Sequence, residues 1–197
     1  MKKGIFAFFS MCMMLVLAAC GSGPATGAAP QALSNAAAPA GEAKVLVAYF
    51  SRTGHTKALA ETIAAKTHGS LYEIRPAEPY PEDYNETVAR FRRERADNIY
   101  PALAGDLPDI AAYDVIFIGY PNWGSDMAPA AKSFLSRCDW HGKTVVPFST
   151  HGGGGWGQSR DTLRQLAPGA QILEGYEMRG GTVDDPRVAS WLQRIGL

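Results

Sequence analysis

Short apolar runs alternate along most of the chain with longer stretches in which apolar residues recur every three or four positions. Residues 44–50 and 115–120 are apolar almost throughout, which is typical of strands buried on both faces of a parallel sheet. Further apolar runs predict strands over 70–75, 143–150 and 172–178. Strands that alternate with helices predict an α/β fold with a doubly wound parallel sheet.

The stretches between the strands have helical spacing. They predict helices over residues 56–67, 83–98, 127–138 and 158–166, and a last one from about residue 184. Asp83, followed by Glu86 three residues later, has the pattern of a capping box. Pro147 lies inside the fourth predicted strand, where it cannot donate a ladder hydrogen bond, so we expect a bulge or an edge-like break there.

The first twenty residues combine two lysines, an apolar run and a cysteine. Lys2 and Lys3 precede the run 4–17, which is short for a transmembrane helix and suits a signal peptide. The run ends in Leu-Ala-Ala-Cys, which resembles the lipobox of bacterial lipoproteins. The resemblance implies a lipidated Cys20 in the bacterial cell envelope, on the periplasmic side of a membrane, and Gly21 in place of Asp favours the outer membrane in a Gram-negative cell. The alternative is an uncleaved helical anchor with an incidental cysteine.

Residues 20–43 are rich in Ala, Gly and Pro, with one large apolar residue, Leu33, and one charge, Glu42. Such a segment cannot bury enough apolar surface to offset the entropy of ordering it. We therefore interpret 1–19 as a signal peptide, 20–43 as a flexible tether to a membrane and 44–197 as one folded domain.

The charges limit the functions that the domain can have. The whole chain has no net charge, and the part from Lys44 onwards carries 17 basic and 18 acidic side chains. A domain so close to neutral is a poor candidate for binding nucleic acid through its phosphates. Three cysteines do not form a disulfide framework, and four scattered histidines give no pattern of metal ligands.

The loop after the first strand has the composition of an anion site. Residues 51–56, Ser-Arg-Thr-Gly-His-Thr, lead from the strand into a helix, where free N–H groups and the helix dipole favour a negative charge. Its three hydroxyl side chains add donors, and Gly54 allows the backbone to approach a ligand closely. The loop lacks the Gly-Lys-Ser/Thr of a nucleotide P-loop. The alternative is an ordinary helix start that a Ser or Thr side chain caps.

Two further loops, which follow the third and fourth predicted strands, each contain glycines and a tryptophan. They are Tyr-Pro-Asn-Trp-Gly-Ser-Asp over 120–126 and Ser-Thr-His-Gly-Gly-Gly-Gly-Trp-Gly over 149–157. In a doubly wound sheet these loops flank the 51–56 loop at the switch point of the strand order, where ligands bind. An aromatic ring beside glycines suits a flat heteroaromatic ligand.

Together the three loops resemble those of the flavodoxin family, and the resemblance covers about residues 44–197. Ser-x-Thr-Gly-x-Thr after a first strand is similar to the phosphate-binding loop of the family. The other two loops resemble flavodoxin-like proteins of bacterial cell envelopes more closely than short-chain electron carriers. The resemblance implies a five-stranded parallel sheet of order 2-1-3-4-5, helices on both faces, and non-covalently bound FMN.

The resemblance also implies which residues bind FMN. They are Ser51, Arg52, Thr53, Gly54, His55 and Thr56 for the phosphate, Pro121, Asn122, Trp123 and Gly124 for one side of the isoalloxazine ring, and Thr150, His151, Gly152 and Gly153 for the ribityl chain or pyrimidine edge. Trp123 would be a stacking partner, and the backbone carbonyl of Gly124 would meet flavin N5 when that atom is protonated.

Four other features have a structural interpretation and a functional one. The arginines at 90, 92, 93 and 95 are interpreted as a solvated helix face, and the alternative is a docking patch for an acidic partner or a phosphorylated dinucleotide. His151 is interpreted as a hydrogen-bonding residue of its loop, and the alternative is a proton donor near the flavin. Cys138 is expected to be a buried small apolar residue. Trp156 either packs under its loop or contacts the flavin.

Three functions stay open. The first is an electron-transfer protein that docks redox partner proteins. The second is an oxidoreductase that takes hydride from NAD(P)H and reduces a quinone or a similar small molecule. The third is a non-catalytic lipoprotein that has lost the flavin. Many flavodoxins are strongly acidic, so the near-neutral charge of this domain keeps the second function open beside the first.

Overall fold

The computed structural model describes residues 43–197. Residues 1–42, which include the predicted signal peptide, Cys20 and almost all of the predicted tether, lie outside the described residues. The elements of the described part are β1 (Val45–Tyr49), α1 (His55–Thr67), β2 (Ser70–Glu73), α2 (Tyr84–Ala96), β3 (Val115–Trp123), β4 (Asp126–Met127), α3 (Pro129–Leu135), β5 (Thr144–His151), α4 (Ser159–Leu166), β6 (Gln171–Ile172), β7 (Tyr176–Arg179) and α5 (Asp185–Arg194). Along this part of the chain, no helix is both long enough and apolar enough to cross a membrane.

The strands form one sheet whose main order is β2-β1-β3-β5, with β6 and β7 sharing the edge beside β5. All of these neighbours are parallel, and the short β4 alone pairs antiparallel, with the end of β3. The predicted doubly wound sheet of order 2-1-3-4-5 is therefore confirmed, with β6 and β7 together occupying its fifth position.

Successive residues of the central strands face opposite sides of the sheet, and helices cover both sides. Ile116 packs in a core with residues of α3 and α4, whereas Phe117 packs in a second core with residues of α1 and α5. The indole of Trp191, on α5, meets the Phe117 ring edge-on with the ring centroids 5.8 Å apart. Coverage on both sides explains why these strands are apolar almost throughout.

The edge of the sheet beside Pro147 is interrupted. The Val145 carbonyl accepts a hydrogen bond from the edge segment, so the backbone of Pro147, two residues later, faces the same side and offers no N–H. Val145 pairs with Ile172 and Phe148 pairs with Tyr176. The chain therefore advances three residues along β5 but four residues along the edge segment that contains β6 and β7. β5 itself is continuous through Pro147, and the extra residue lies in the neighbouring edge segment between β6 and β7. The predicted break within the fourth strand is wrong in place, and the prediction of one unbroken strand over 172–178 is wrong.

The helix predicted over 127–138 is shorter than expected. Pro129 occupies the first turn of α3, a position where proline is well tolerated. After Leu135 the chain turns back, and the buried Trp140 donates its indole N–H to the Leu135 carbonyl over 2.8 Å. Cys138 therefore follows the helix and packs half-buried against the core, so the expectation of a fully buried residue on a helix face is wrong. Burial raises the pKa of its thiol to about 11.

Candidate functional site

Three loops and one helix meet at the carboxyl edge of the sheet. Because β1, β3 and β5 are adjacent and parallel, the loops that follow them lie at the same edge. These loops and α2 border a cavity of about 890 Å³, which is within the size range of ligand and cofactor pockets.

The cavity brings together eight of the fourteen residues that the sequence predicts to bind FMN. They are Arg52, Thr53, Thr56, Pro121, Asn122, Trp123, Gly124 and Thr150. Six others do not belong to its lining: Ser51, Gly54, His55, His151, Gly152 and Gly153. The first two loops therefore meet at one cavity, whereas the third reaches it through Thr150. The individual roles predicted for these residues stay predictions.

The 51–56 loop leaves the N-terminus of α1 open. Gly54 precedes the helix with a φ of 87°, a conformation that favours glycine, and its N–H donates to Ser51 Oγ over 3.2 Å. No side chain in the described residues caps α1, and its first turn carries no acidic residue. The alternative of a helix capped by Ser or Thr is therefore wrong. The first N–H groups of α1 remain available to an anion.

A pair of buried hydroxyls joins the 51–56 loop to the end of β5. Thr56 Oγ1 lies 2.8 Å from Thr150 Oγ1, and both residues are buried. One hydroxyl donates to the other, so the accepting residue keeps its own O–H for another partner. This pair therefore stabilises the cavity and leaves one donor for a ligand.

Arg52 and His55 connect the same loop to its neighbours. The Arg52 guanidinium donates to the Pro81 carbonyl over 3.2 Å and also to the Glu82 carbonyl, both just before α2. The His55 ring packs on Gly181, where a Cβ would lie only 2.4 Å from His55 Cε1. These contacts hold the start of α2 and the 180–181 turn against the loop.

Three aromatic rings hold Trp123 at the cavity. The rings of Phe50, Tyr80 and Phe91 meet the indole at angles of 85°, 86° and 75°, with centroids 5.6, 4.9 and 5.8 Å away. Tyr80 in turn donates its O–H to the buried carboxylate of Glu94 over 2.6 Å. Burial and the hydrogen bond to Glu94 raise the pKa of Tyr80 far above its usual value. Trp123 is thus a fixed side chain of the cavity wall.

Arg90 completes the support beneath Trp123. Its Nε donates to Glu94 Oε1 over 2.8 Å, and its guanidinium carbon lies 4.3 Å from the centroid of the Tyr80 ring. Its Nη1 also donates to the carbonyls of Glu78 and Pro79. Arg90 is therefore a structural residue that joins α2 to the segment before it.

Gly124 lies directly under α2. Gly124 and Ser125 have φ values of 58° and 66°, and the Gly124 carbonyl accepts from Arg95 Nη1 over 2.8 Å. A Cβ on Gly124 would lie 2.7 Å from Arg95 Nη1 and 2.8 Å from Phe91 Cζ. The predicted contact between this carbonyl and flavin N5 stays a prediction, and a second donor would share the oxygen with Arg95.

Backbone contacts hold the second and third loops together. Asn122 Nδ2 donates to the Gly155 carbonyl, and the Gln158 N–H donates to the Ser125 carbonyl over 2.7 Å. Gly157 has a φ of 54°, and a Cβ there would lie 2.2 Å from the Ser125 oxygen. Part of the glycine-rich third loop therefore serves the close approach of two backbone segments rather than ligand contact.

His151 and Trp156 serve the third loop itself. His151 Nδ1 accepts the Gly153 N–H over 3.1 Å, and its Nε2 lies 3.8 Å from Glu177 Oε2, on β7. This Nε2 is buried and has no hydrogen-bond partner within residues 43–197. Trp156 packs against the core, with Arg160 4.6 Å above its ring, and it does not line the cavity.

One face of α2 forms a wall of the cavity, of which the sequence indicates only the arginines, as an alternative docking patch, and not the apolar residues. We call it the α2 wall, and it consists of Tyr84, Val88, Phe91, Arg92 and Arg95. The side chain of Tyr84 is among the most exposed large apolar side chains of the described residues, with 70% of the residue accessible. An exposed large aromatic side chain beside a cavity indicates a ligand-binding wall. The sequence alone does not show which side chains are exposed, so this signal becomes available only with the structure.

The charged side chains that line the cavity are all positive. Its lining contains three arginines, Arg52, Arg92 and Arg95, and none of the lining residues within 43–197 is Asp or Glu. No three His, Cys, Asp or Glu side chains in this part of the chain come close enough to hold a metal ion. The arrangement therefore suits an anionic organic ligand with a flat apolar part.

Comparison with known proteins agrees with this description. Residues 44–195 match the family model described as Flavodoxin. A crystal structure of a protein described as a flavoprotein from Bacteroides eggerthii is 37% identical, with a TM-score of 0.71, and the match covers 79% of this chain and 99% of that one. The flavoprotein from Lactobacillus acidophilus in complex with FMN is 25% identical, with a TM-score of 0.62, over 76% of this chain and 98% of that one.

Curated relatives match over a shorter stretch. An NAD(P)H dehydrogenase (quinone) from Nitrobacter winogradskyi is 33% identical over 124 residues, which is 56% of this chain. A protein with the same name from Gluconacetobacter diazotrophicus is 34% identical over 96 residues. The chain spans 60% of the first relative's length and 46% of the second's.

Proposed function

We propose that this chain, which belongs to the flavodoxin family, binds FMN and uses it to pass electrons from NAD(P)H to a quinone or a similar small acceptor. The cavity of about 890 Å³ carries the proposal, because the 51–56 loop borders it at one place and the α2 wall at another. A site of this extent has room for a substrate beside a cofactor.

The residues present fit FMN. The uncapped start of α1 and the hydroxyls of Thr53 and Thr56 offer neutral donors to a phosphate. Trp123 presents a fixed aromatic side chain to a flat ring system, and Asn122 and Gly124 bring polar groups beside it. Because the site is an open cavity rather than a packed core, it gives no support to a lipoprotein that has lost the flavin.

When bound, FMN would supply the redox chemistry, and the chain's own residues would bind, orient and shield it. The N–H groups of α1 and Thr56 would hold the phosphate. The packed cluster of Phe50, Tyr80 and Phe91 would keep Trp123 in one orientation against the ring. The arginines of the lining would favour negative charge in the cavity, because no carboxylate of the lining within residues 43–197 offsets them.

Two observations support an oxidoreductase over a carrier that acts only with partner proteins. The first is the α2 wall, which extends the cavity beyond the three loops. The second is the resemblance to proteins named NAD(P)H dehydrogenase (quinone). The second candidate function is an electron carrier that docks redox proteins, and the match to the flavodoxin family model favours it.

Two measurements on the purified protein test the proposal. Flavin absorbance and a mass consistent with FMN in the released cofactor are expected, and a colourless protein that takes up no added FMN would contradict it. Under anaerobic conditions the FMN-loaded protein should then oxidise more than one equivalent of NADH or NADPH only when a soluble quinone is supplied as acceptor, because without it the nucleotide can reduce only the bound FMN. A protein that holds FMN but gives no quinone-dependent oxidation of either nucleotide would support the carrier.

We also propose that the chain is anchored in the bacterial envelope through a lipid on Cys20. The support is the order of Lys2, Lys3, the apolar run and the Leu-Ala-Ala-Cys motif. The expected result is incorporation of labelled palmitate into the protein, lost in Cys20→Ser, together with removal of residues 1–19, which the same variant should block. Cys12→Ser is the matched control and should keep both. Equal labelling of the Cys20→Ser protein would contradict the proposal.

A further inference from the structure

The arginines of α2 differ in their partners. Arg90 is satisfied within the protein, because it forms an ion pair with Glu94 over 2.8 Å and a longer one with Glu78. Arg92 and Arg95 have no acidic partner within residues 43–197, although both line the cavity. Two guanidinium groups are therefore left uncompensated at one cavity wall of a domain that is nearly neutral as a whole.

One hydrogen bond holds Arg95 in place. Its Nη1 donates to the Gly124 carbonyl over 2.8 Å, which uses one of the five guanidinium N–H donors and leaves the others for a ligand. Arg92 lies three residues earlier and therefore on the same side of the helix. Two like charges at this spacing disfavour each other, and a bound anion would remove the repulsion.

This pair lies away from the 51–56 loop. Arg52 ties that loop to the residues just before α2, whereas Arg95 ties the other end of the helix to Gly124. From Tyr84 to Arg95 the helix rises about 16 Å. Although both places border one cavity, a phosphate at the start of α1 and an anion at Arg92 and Arg95 would therefore be held at different positions in it.

The chemistry of the pair indicates a phosphate monoester. Arginine forms paired hydrogen bonds with phosphate, and two guanidinium groups match a dianion. In Rossmann-type sites a carboxylate binds the ribose 2′-hydroxyl of NAD, whereas an arginine accommodates the 2′-phosphate of NADP, and the same chemistry applies to any site that meets this phosphate. Here the lining offers arginines, and within the described residues it contains no carboxylate.

We propose that Arg92 and Arg95 bind the 2′-phosphate of NADPH and make the protein prefer NADPH to NADH. The proposal rests on the proposed function, in which a nicotinamide dinucleotide is the reductant. Arg93 serves as a comparison, because the end of a helix favours any cationic side chain whether or not it binds a ligand. The helix dipole favours a cation near the end of α2, and Arg93 satisfies that preference without lining the cavity.

Calorimetric titration of the full-length, FMN-saturated protein tests the site without turnover. The probes are adenosine 2′,5′-bisphosphate and adenosine 5′-monophosphate, which differ by the 2′-phosphate. The bisphosphate should bind at least tenfold more tightly. Arg92→Ala and Arg95→Ala should each remove most of that difference, whereas Arg93→Ala should keep it within twofold. Equal binding of the two probes, or equal losses in all three variants, would overturn the proposal.

Reduction of the bound flavin by each nucleotide is the second measurement. The NADPH-to-NADH ratio of reduction rates should fall at least tenfold in Arg92→Ala, and an unchanged ratio would overturn the proposal. If neither nucleotide reduces the flavin, the proposed function fails, but the calorimetric result still decides whether Arg92 and Arg95 form a phosphate site. If Arg92→Ala weakens FMN itself as much as the bisphosphate, the pair belongs to the FMN site and the proposal is overturned.

Discussion

Replacing Thr56 with valine removes one hydroxyl from the 51–56 loop and keeps the shape of the side chain. Thr56 Oγ1 lies 2.8 Å from Thr150 Oγ1 at a buried position, so the change leaves the Thr150 hydroxyl without its partner. A buried polar group without a partner costs about 1–3 kcal/mol of folding free energy. The same change removes one donor to the FMN phosphate, which we expect to cost about 1–2 kcal/mol of binding free energy.

The two effects separate in a set of variants. Thr53 is exposed, so Thr53→Val should lower FMN affinity alone and change the free energy of unfolding by less than about 0.5 kcal/mol. Thr150→Val should destabilise the fold as Thr56→Val does. The double variant Thr56→Val with Thr150→Val removes both partners and should regain much of the lost stability.

Fluorescence titration with FMN measures the affinities, and urea denaturation of the FMN-free protein measures the stabilities. Thr53→Val and Thr56→Val should each raise the Kd for FMN roughly 5- to 30-fold, and the two together should cost about 2–4 kcal/mol. An FMN affinity within twofold of the parent protein in both single variants would refute the reasoning, because the phosphate would then lie elsewhere.

Three further predictions concern Gly124, Glu94 and Cys138. Gly124→Ala should lower the free energy of unfolding, measured by urea denaturation, by about 1–2 kcal/mol. The reasons are that Gly124 has a φ of 58° and that the new Cβ would crowd Arg95 and Phe91. A loss below about 0.5 kcal/mol would contradict the close packing of Gly124 against these two side chains. Glu94→Gln should lower the free energy of unfolding by about 1.5–3 kcal/mol in the same assay, since it weakens the hydrogen bonds from Tyr80 and Arg90. The control Glu78→Gln changes an exposed carboxylate and should cost less than about 0.5 kcal/mol. Equal losses in the two variants would contradict a stabilising role for the Arg90–Glu94 ion pair. Burial raises the pKa of Cys138 to about 11, so its alkylation by iodoacetamide at pH 8 should be on the order of 100-fold slower than that of a free cysteine and should accelerate as the pH rises towards 11. Cys138→Ser identifies the labelled residue by mass. Labelling at the rate of a free thiol would show that the thiol is exposed.

The sheet and the first loop were predictable because both follow from local pattern. Apolar runs covered on both faces indicate central parallel strands, and Gly54 with its neighbouring hydroxyls indicates an open helix start. The sequence predicts that Pro147 interrupts a ladder of hydrogen bonds, but it does not predict which strand carries the break. Its position depends on which neighbouring strand the missing N–H faces, and that is a property of the sheet register.

The α2 wall was not predictable from the pattern. Tyr84, Val88 and Phe91 have the same helical spacing whether they face a core or a cavity, because spacing indicates that a face is shared and not what covers it. The arginine run raised the same difficulty. Only the contacts separate Arg90, which is half-buried and paired with Glu94, from Arg92, which lines the cavity.

Anaerobic mixing of the FMN-loaded protein with NADPH decides whether the bound flavin takes electrons from the nucleotide. We expect the flavin absorbance to disappear without any partner protein and to return when a quinone is added. If the absorbance persists with both NADPH and NADH while dithionite still removes it, the flavin is redox-active but closed to nicotinamide, and the protein is not an NAD(P)H-dependent reductase.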